Sequence, residues 1–159
     1  MRMPSPASER AALVGVLLAL SSFAVACSDD ASGSNDVVDA SMCLPEFSLD
    51  CTPEYQPTFD NIFDNRLGVT CGAASTGGSC HAEAGAMAGL VLATPQGAYT
   101  GLLGIDGARQ RVIAGDPECS LLIQRIESTD PGFGMPPGRR LSANERCAFV
   151  KWVAGGAKQ

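Results

Sequence analysis

The sequence contains a single histidine, His81, and few aromatic residues, with six Phe, two Tyr and one Trp among 159 residues. It has no Ser-His-Asp order, no phosphate-binding loop and no pair of catalytic carboxylates, so nothing in it supports a hydrolytic enzyme. Acidic residues outnumber basic ones, and the formal net charge is −6. Such a chain lacks the positive charge that attracts nucleic acid. We therefore expect neither an enzyme nor a nucleic-acid-binding protein.

A long apolar run over residues 11–20 follows two arginines and leads into small residues. This pattern is typical of a signal peptide, here residues 1–26, rather than of a membrane span. The cleavage region Ala24-Val25-Ala26-Cys27 resembles a bacterial lipobox, so we expect Cys27 to carry a lipid. Ordinary cleavage after Ala26 is the alternative.

Removal of the predicted signal peptide changes the charge of the chain. Residues 1–26 contain Arg2, Arg10 and Glu9, a sum of +1, so the formal net charge moves from −6 to −7. An acidic exported protein of this kind suits a basic protein partner. Ser28 after Cys27 favours the outer membrane, by analogy with the sorting rule of enteric bacteria.

Residues 27–56 form the predicted linker. The segment Ser28 to Ser41 is rich in Ser, Asp, Gly, Asn and Ala, so we expect a disordered acidic tether. Cys43 and Cys51 enclose seven residues and could close a local disulfide. The remaining residues, 57–159, are enough for one small domain, whose modest core would gain stability from disulfides or a large apolar cofactor.

The most informative stretch begins at Cys71 and ends at Cys80-His81. A Cys-His pair preceded by a second Cys is the centre of the c-type haem attachment signature, in which two thiols bond the haem and the imidazole binds its iron. The usual spacing is C-x-x-C-H, whereas eight residues separate the two cysteines here. A Cys71–Cys80 disulfide and a zinc site made with His81 are the alternatives. The residues alone leave all three open.

Two stretches have helical signals at both ends. One runs from Thr58 to Leu67, with Thr58 as its N-cap and Gly68 as its stop. The other, near the C-terminus, begins with the capping box Ser142-Ala-Asn-Glu145 and ends at Gly155-Gly156. A shorter helix is predicted over Tyr99 to Leu103.

A further helix is predicted from Asp116, with Pro117 at its first position. Its buried stripe is predicted to contain Cys119, Leu122, Ile123 and Ile126. The following residues, 129–140, include three prolines and three glycines and must form an irregular loop, which contains Met135.

The cysteines of the last two predicted helices favour a disulfide. Docking these helices would bring Cys119 and Cys147 together, and the bond would close a loop that contains Met135. The competing pairing joins Cys43 or Cys51 to one of these helices.

Several motifs occur in an order that is characteristic when taken together: Phe59-Asp-Asn-Ile62, Cys80-His81, Gly89-Leu90, residues 112–117, Ser120-Leu-Leu122, Met135-Pro-Pro-Gly138, Leu141-Ser142 and residues 152–157. Over roughly residues 57 to 157, this order resembles small class I-type cytochrome c domains in exported proteins of myxobacteria and planctomycetes. The C-x8-C-H spacing of this chain differs from the C-x-x-C-H spacing that is usual in that family.

The resemblance implies an all-α, cytochrome c-like domain of three main helices with long irregular loops. It implies covalent haem c, with Cys71 and Cys80 as the thioether residues, His81 as the proximal iron ligand and Met135 as the distal one. The function it implies is electron transfer with a redox protein partner in the cell envelope. The alternative is a haem-free, disulfide-stapled interaction module of a bacterial lipoprotein.

Overall fold

The computed structural model describes residues 43–44, 48–73, 80–107 and 110–159. Four α-helices occupy these ranges: α1 is Phe59–Ile62, α2 is Pro95–Leu103, α3 is Leu121–Glu127 and α4 is Ala143–Ala154. Short 3₁₀ turns lie at Met87–Gly89 and Ile105–Gly107. The described ranges hold no strand beyond one isolated bridge, so the predicted all-α fold class is confirmed. None of these helices has the length and apolar character needed to cross a membrane.

The first helix begins at the predicted residue. Thr58 is the N-cap, and its hydroxyl accepts a hydrogen bond from the backbone N–H of Asn61 at 3.3 Å. Phe59 and Ile62 are fully buried, as the apolar spacing indicates. The chain then continues as a π-helix over Phe63–Cys71.

Gly68 lies inside this π-helix, so the prediction that it ends the helix is wrong. Its role is steric, because the ring of Phe63 lies directly against it. A Cβ atom at Gly68 would come within 2.6 Å of Cε1 of Phe63. The absence of a side chain therefore lets the helix continue to Cys71.

The second helix is longer than predicted, because it begins at Pro95 rather than near Tyr99. Thr94 is its N-cap, and the Thr94 hydroxyl accepts a hydrogen bond from the N–H of Gly97 at 3.2 Å. Tyr99 donates its phenolic hydrogen to the carbonyl of Ala157 at 3.1 Å. This bond joins α2 to the C-terminal end of the chain.

The third helix begins later than predicted. Asp116 caps the preceding turn instead, since its Oδ1 accepts a hydrogen bond from the N–H of Cys119 at 3.1 Å. Ser120 takes the N-cap position of α3. Cys119 therefore precedes the helix and does not belong to its buried stripe, whereas Ile123 and Ile126 are buried as predicted.

The fourth helix agrees with its prediction at both ends. The Ser142 hydroxyl accepts a hydrogen bond from the Glu145 N–H at 3.1 Å, and the Glu145 carboxylate accepts one from the Ser142 N–H at 2.7 Å. The helix ends at Ala154, with Gly155 as its C-cap. The N–H groups of Ser142 and Glu145 are thus satisfied by local side chains.

Replacing Ser142 with alanine is expected to lower the free energy of unfolding by about 1 kcal/mol, because the N–H of Glu145 loses its acceptor. Chemical denaturation of the oxidised protein measures this loss. Thr129→Ala, at an exposed loop position, is the control, with an expected change within about 0.5 kcal/mol. Equal stabilities of the two variants would contradict the capping role.

Three aromatic side chains meet in the core. The ring centroid of Phe59 lies 5.1 Å from that of Tyr99 and 5.7 Å from that of Trp152. These separations are typical of favourable aromatic pairs, so ring contacts join α1 to α2 and α4. The other buried apolar residues of this core are Ile62, Leu67, Leu90, Leu92, Ala98, Leu102, Val112, Ile123, Ile126, Phe149, Val150, Val153 and Ala157.

Two disulfides join the N-terminal segment to the C-terminal half. Cys43 is bonded to Cys119, and Cys51 is bonded to Cys147. The predicted Cys119–Cys147 bond is therefore wrong, and so is a local Cys43–Cys51 loop. Because Cys119 precedes α3 instead of lying on its buried face, docking of α3 on α4 does not bring it to Cys147.

Backbone hydrogen bonds accompany both disulfides. The N–H of Leu44 donates to the carbonyl of Glu118 at 3.1 Å, and the N–H of Glu54 donates to the carbonyl of Asn144 at 3.0 Å. The described part of the predicted linker is thus bound to the helical domain. The predictions for residues 1–42, including the signal peptide, the lipid on Cys27 and the tether, lie outside the described residues.

Candidate functional site

The predicted site residues Cys71 and His81 are neighbours in the structure. Cys71 ends the π-helix, and its carbonyl accepts a hydrogen bond from the N–H of His81 at 3.3 Å. The carbonyl of His81 in turn accepts one from the N–H of Leu92 at 2.7 Å. His81 thus lies beside Cys71 although eight residues separate Cys71 from Cys80 in the sequence. Residues 74–79 lie outside the described ranges.

The imidazole of His81 is held in one orientation by a backbone carbonyl. Its Nδ1 lies 3.2 Å from the carbonyl oxygen of Leu90. A carbonyl can only accept, so Nδ1 carries the hydrogen and the neutral ring keeps a lone pair on Nε2. Metal-binding histidines use this arrangement, in which one ring nitrogen donates to a carbonyl and the other binds the metal.

The surroundings of His81 favour its neutral form. Burial lowers the pKa of the imidazole, and the positive charges of Arg111 and Arg125 lower it further, while the hydrogen bond to Leu90 opposes them. A neutral imidazole is the form that binds iron or another metal.

Arg111 is a buried residue that fastens the segment following His81. Its guanidinium donates to the carbonyl of Gly101 at 3.0 Å and to that of Ala88 at 2.6 Å. Ala88 belongs to the 3₁₀ turn Met87–Gly89, and Gly101 belongs to α2. Arg111 therefore joins the loop after His81 to the helical framework.

Cys71 has a free thiol that packs against the apolar core. Burial raises the pKa of this thiol to about 11, although the nearby charge of Arg66 opposes the shift. The protonated thiol is thus the dominant form at neutral pH, and its nucleophilicity is low.

Native Cys71 is expected to react with iodoacetamide more than about a hundredfold more slowly at pH 7 than Cys71 in the unfolded chain. The reason is its pKa of about 11, which leaves about one thiol in ten thousand ionised at that pH. The rate should rise about tenfold for each pH unit up to that pKa. Peptide mapping after timed alkylation measures the label at Cys71, with denaturant-unfolded protein as the control. Equal rates in the two states would contradict the burial.

Cys80 is disulfide-bonded. Cys71 is free, so it is not the partner of Cys80. The proposed Cys71–Cys80 disulfide is therefore wrong. Across the described ranges, no cluster of three or more His, Cys, Asp and Glu side chains has the arrangement of a metal site, so the zinc alternative gains no support there.

Met135 lies in the irregular segment between α3 and α4, as predicted. Its N–H donates to the carbonyl of Arg125 at 2.8 Å, and its side chain is half-buried. Arg125 is also one of the two cations whose charge lowers the pKa of His81. Met135 is thus connected, through Arg125, to the surroundings of His81.

Leu90, Arg111 and Arg125 were not predicted as site residues. Leu90 contacts His81 through its backbone carbonyl. Every residue type has a backbone carbonyl, so the sequence does not indicate this contact. Arg111 lies in a stretch rich in turn-forming residues, and Arg125 is an ordinary polar residue in the pattern of α3, so neither is marked as a site residue by the sequence. Their relation to His81 depends on packing between segments that are distant in sequence.

A protein-family model described as Planctomycete cytochrome C matches residues 78–138. The match supports a cytochrome c-like domain. It covers less than half of the chain and includes Cys80, His81 and Met135. Neither the curated proteins nor the solved structures contain a match to this chain.

The residues of the cytochrome c-like site fit a haem in part. His81 presents an anchored imidazole with Nε2 as its lone-pair nitrogen, and Met135 supplies a soft thioether, which are the axial ligands of many c-type haems. Cys71 has the free thiol that a thioether bond requires. Cys80 could form a thioether bond to haem only as a free thiol, whereas its sulfur is disulfide-bonded in this structure.

Proposed function

We propose that this protein is a membrane-tethered monohaem c-type cytochrome that transfers electrons in the cell envelope. The observation that supports it best is the His81 imidazole, which is anchored through Nδ1 to the carbonyl of Leu90 within the stretch matched by the cytochrome family model. A bound haem c supplies one-electron oxidation and reduction at its iron.

Each predicted site residue has a distinct role in this proposal. His81 would bind the iron, and burial and the charges of Arg111 and Arg125 favour its neutral imidazole. Met135 would be the second protein ligand, and its soft sulfur would favour ferrous iron. Cys80 and Cys71 provide the covalent attachment in their thiol forms. The partner is a redox protein of the envelope, and the acidic mature chain suits a basic one.

The intact mass of the protein, produced in a host with cytochrome maturation machinery, tests this proposal. We expect a mass that includes one haem, with a Soret band and with haem retained through denaturing electrophoresis. The His81→Ala variant made in the same host is the matched control. A colourless wild-type protein without added haem mass would refute the proposal.

A second candidate function is a haem-free, disulfide-stapled interaction module. The observation that favours it is the pair of disulfides Cys43–Cys119 and Cys51–Cys147, which join the N-terminal segment to the helical domain. The same intact-mass experiment separates the two functions. The module predicts a colourless protein without added haem mass, whereas the cytochrome predicts Cys80 modified by haem.

Attachment to the membrane is a separate part of the proposal, and it depends on Cys27. The sequence Ala24-Val25-Ala26-Cys27 supports it. The wild-type protein is expected in the membrane fraction and the Cys27→Ser variant in the soluble fraction, as measured by immunoblotting after fractionation. A Cys27→Ser protein that remained wholly with the membranes would contradict the lipid anchor.

A further inference from the structure

Arg125 makes three contacts with the loop that contains Met135. Its guanidinium donates a hydrogen bond to the carbonyl of Phe133 at 3.1 Å. The same guanidinium lies over the Phe133 ring, with Cζ at 4.2 Å from the ring centroid. The backbone carbonyl of Arg125 accepts a hydrogen bond from the N–H of Met135 at 2.8 Å. The side chain thus fixes residue 133, and the backbone fixes residue 135.

The loop needs such an anchor because it has no helix of its own. Its first turn is closed by hydrogen bonds from the N–H groups of Phe133 and Gly134 to the carbonyl of Asp130, at 3.1 and 2.7 Å. Segments of this kind open at a lower free energy than packed helices. A charged hydrogen bond and a cation–π contact from a residue on α3 raise that free energy.

The other end of the loop is fastened separately. The Glu127 carboxylate accepts from Arg140 at 3.0 Å and from Arg146 at 2.8 Å, which joins the end of α3 to the region where α4 begins. These ion pairs do not involve residues 133–135. Among the described contacts between α3 and the loop, those of Arg125 reach residues 133 and 135.

We infer that Arg125 is a positioning residue, which holds the Met135 segment on α3 and so sets the position of the Met135 sulfur. The positioning itself does not require a haem. The consequence for haem binding, that Arg125 keeps the Met135 sulfur where it can bind the iron, rests on the proposed cytochrome function.

The test uses the mature full-length protein in haem-free and haem-loaded forms. In the haem-free protein, hydrogen exchange of the Met135 N–H is measured by NMR for wild type, Arg125→Ala and Arg125→Lys. We expect exchange at least about tenfold faster in Arg125→Ala and an intermediate rate in Arg125→Lys, which keeps a charge but loses the planar stack. Arg139→Ala, at an exposed position of the same loop, is the matched control and should change the rate less than about twofold.

In the haem-loaded protein, the absorption band of methionine-ligated ferric haem is measured in the same variants. Arg125→Ala should lose most of this band while its haem stays covalently bound, and Arg139→Ala should keep it. If Arg125→Ala does not fold, Phe133→Leu removes the ring contact alone and should still accelerate Met135 exchange. Unchanged exchange in both Arg125→Lys and Phe133→Leu would overturn the inference. Faster exchange in a protein that never takes up haem would support the positioning and refute the cytochrome proposal.

Discussion

The His81→Ala variant is expected to lose the normal haem c absorption spectrum completely, whereas the Cys71→Ala variant is expected to keep some covalently bound haem. The difference arises because His81 has an oriented imidazole that no neighbouring residue can replace. Its Nδ1 is bound to the Leu90 carbonyl, so Nε2 is the nitrogen left for iron. Absorption spectra and haem staining after denaturing electrophoresis measure the two losses.

Cys80→Ala is expected to behave like His81→Ala rather than like Cys71→Ala. Cys80 directly precedes the proposed iron ligand in the sequence, whereas Cys71 comes ten residues before His81 and is joined to it by a backbone hydrogen bond. Far-UV circular dichroism of the haem-free variants controls for misfolding. Equal and complete loss of haem in the Cys71 and Cys80 variants would refute this ranking.

The second large effect concerns stability. Replacing both Cys51 and Cys147 with alanine is expected to lower the free energy of unfolding by about 2–5 kcal/mol. The bond joins residues that are 96 positions apart, so its loss frees a large number of conformations of the unfolded chain. The Cys147 side chain is also 2% exposed, which adds a loss of packing within α4.

Denaturant titration without reductant measures this change. The Cys43→Ala/Cys119→Ala variant should lose less, because its bond spans 76 positions and Cys119 is only half-buried. Cys71→Ala, which removes a thiol but no disulfide, is the control, with an expected loss of about 1 kcal/mol. A loss for the Cys51/Cys147 variant no larger than that of Cys71→Ala would contradict a stabilising role for the bond.

The last helix was predictable because the signals at both of its ends are local. The capping box of Ser142 and Glu145 and the glycine after Ala154 act over one turn, so α4 was predicted correctly at both ends. At α3, two residues could serve as caps. Asp116, the predicted cap, caps the preceding turn, and Ser120 is the N-cap of the helix. A choice between two nearby caps depends on the turn geometry, which the residue types do not specify.

The disulfide pairing could not be predicted in the same way. It depends on where residues 43–56 lie on the domain, and those residues carry no periodic pattern that reveals a docking face.

The candidate site could be predicted only in part. His81 and Met135 were suggested by their residue types and motifs, whereas the carbonyl of Leu90 and the guanidinium of Arg125 contribute through packing between distant segments.

The two disulfides interlace along the chain, in the order Cys43, Cys51, Cys119 and Cys147. A protease that cuts once between Cys51 and Cys119, for example at the exposed residues 83–85, therefore leaves two fragments joined by both bonds. The fragment with His81 and the fragment with Met135 would remain one covalent molecule. A nicked protein would keep its mass on a non-reducing gel and separate into two pieces only after reduction.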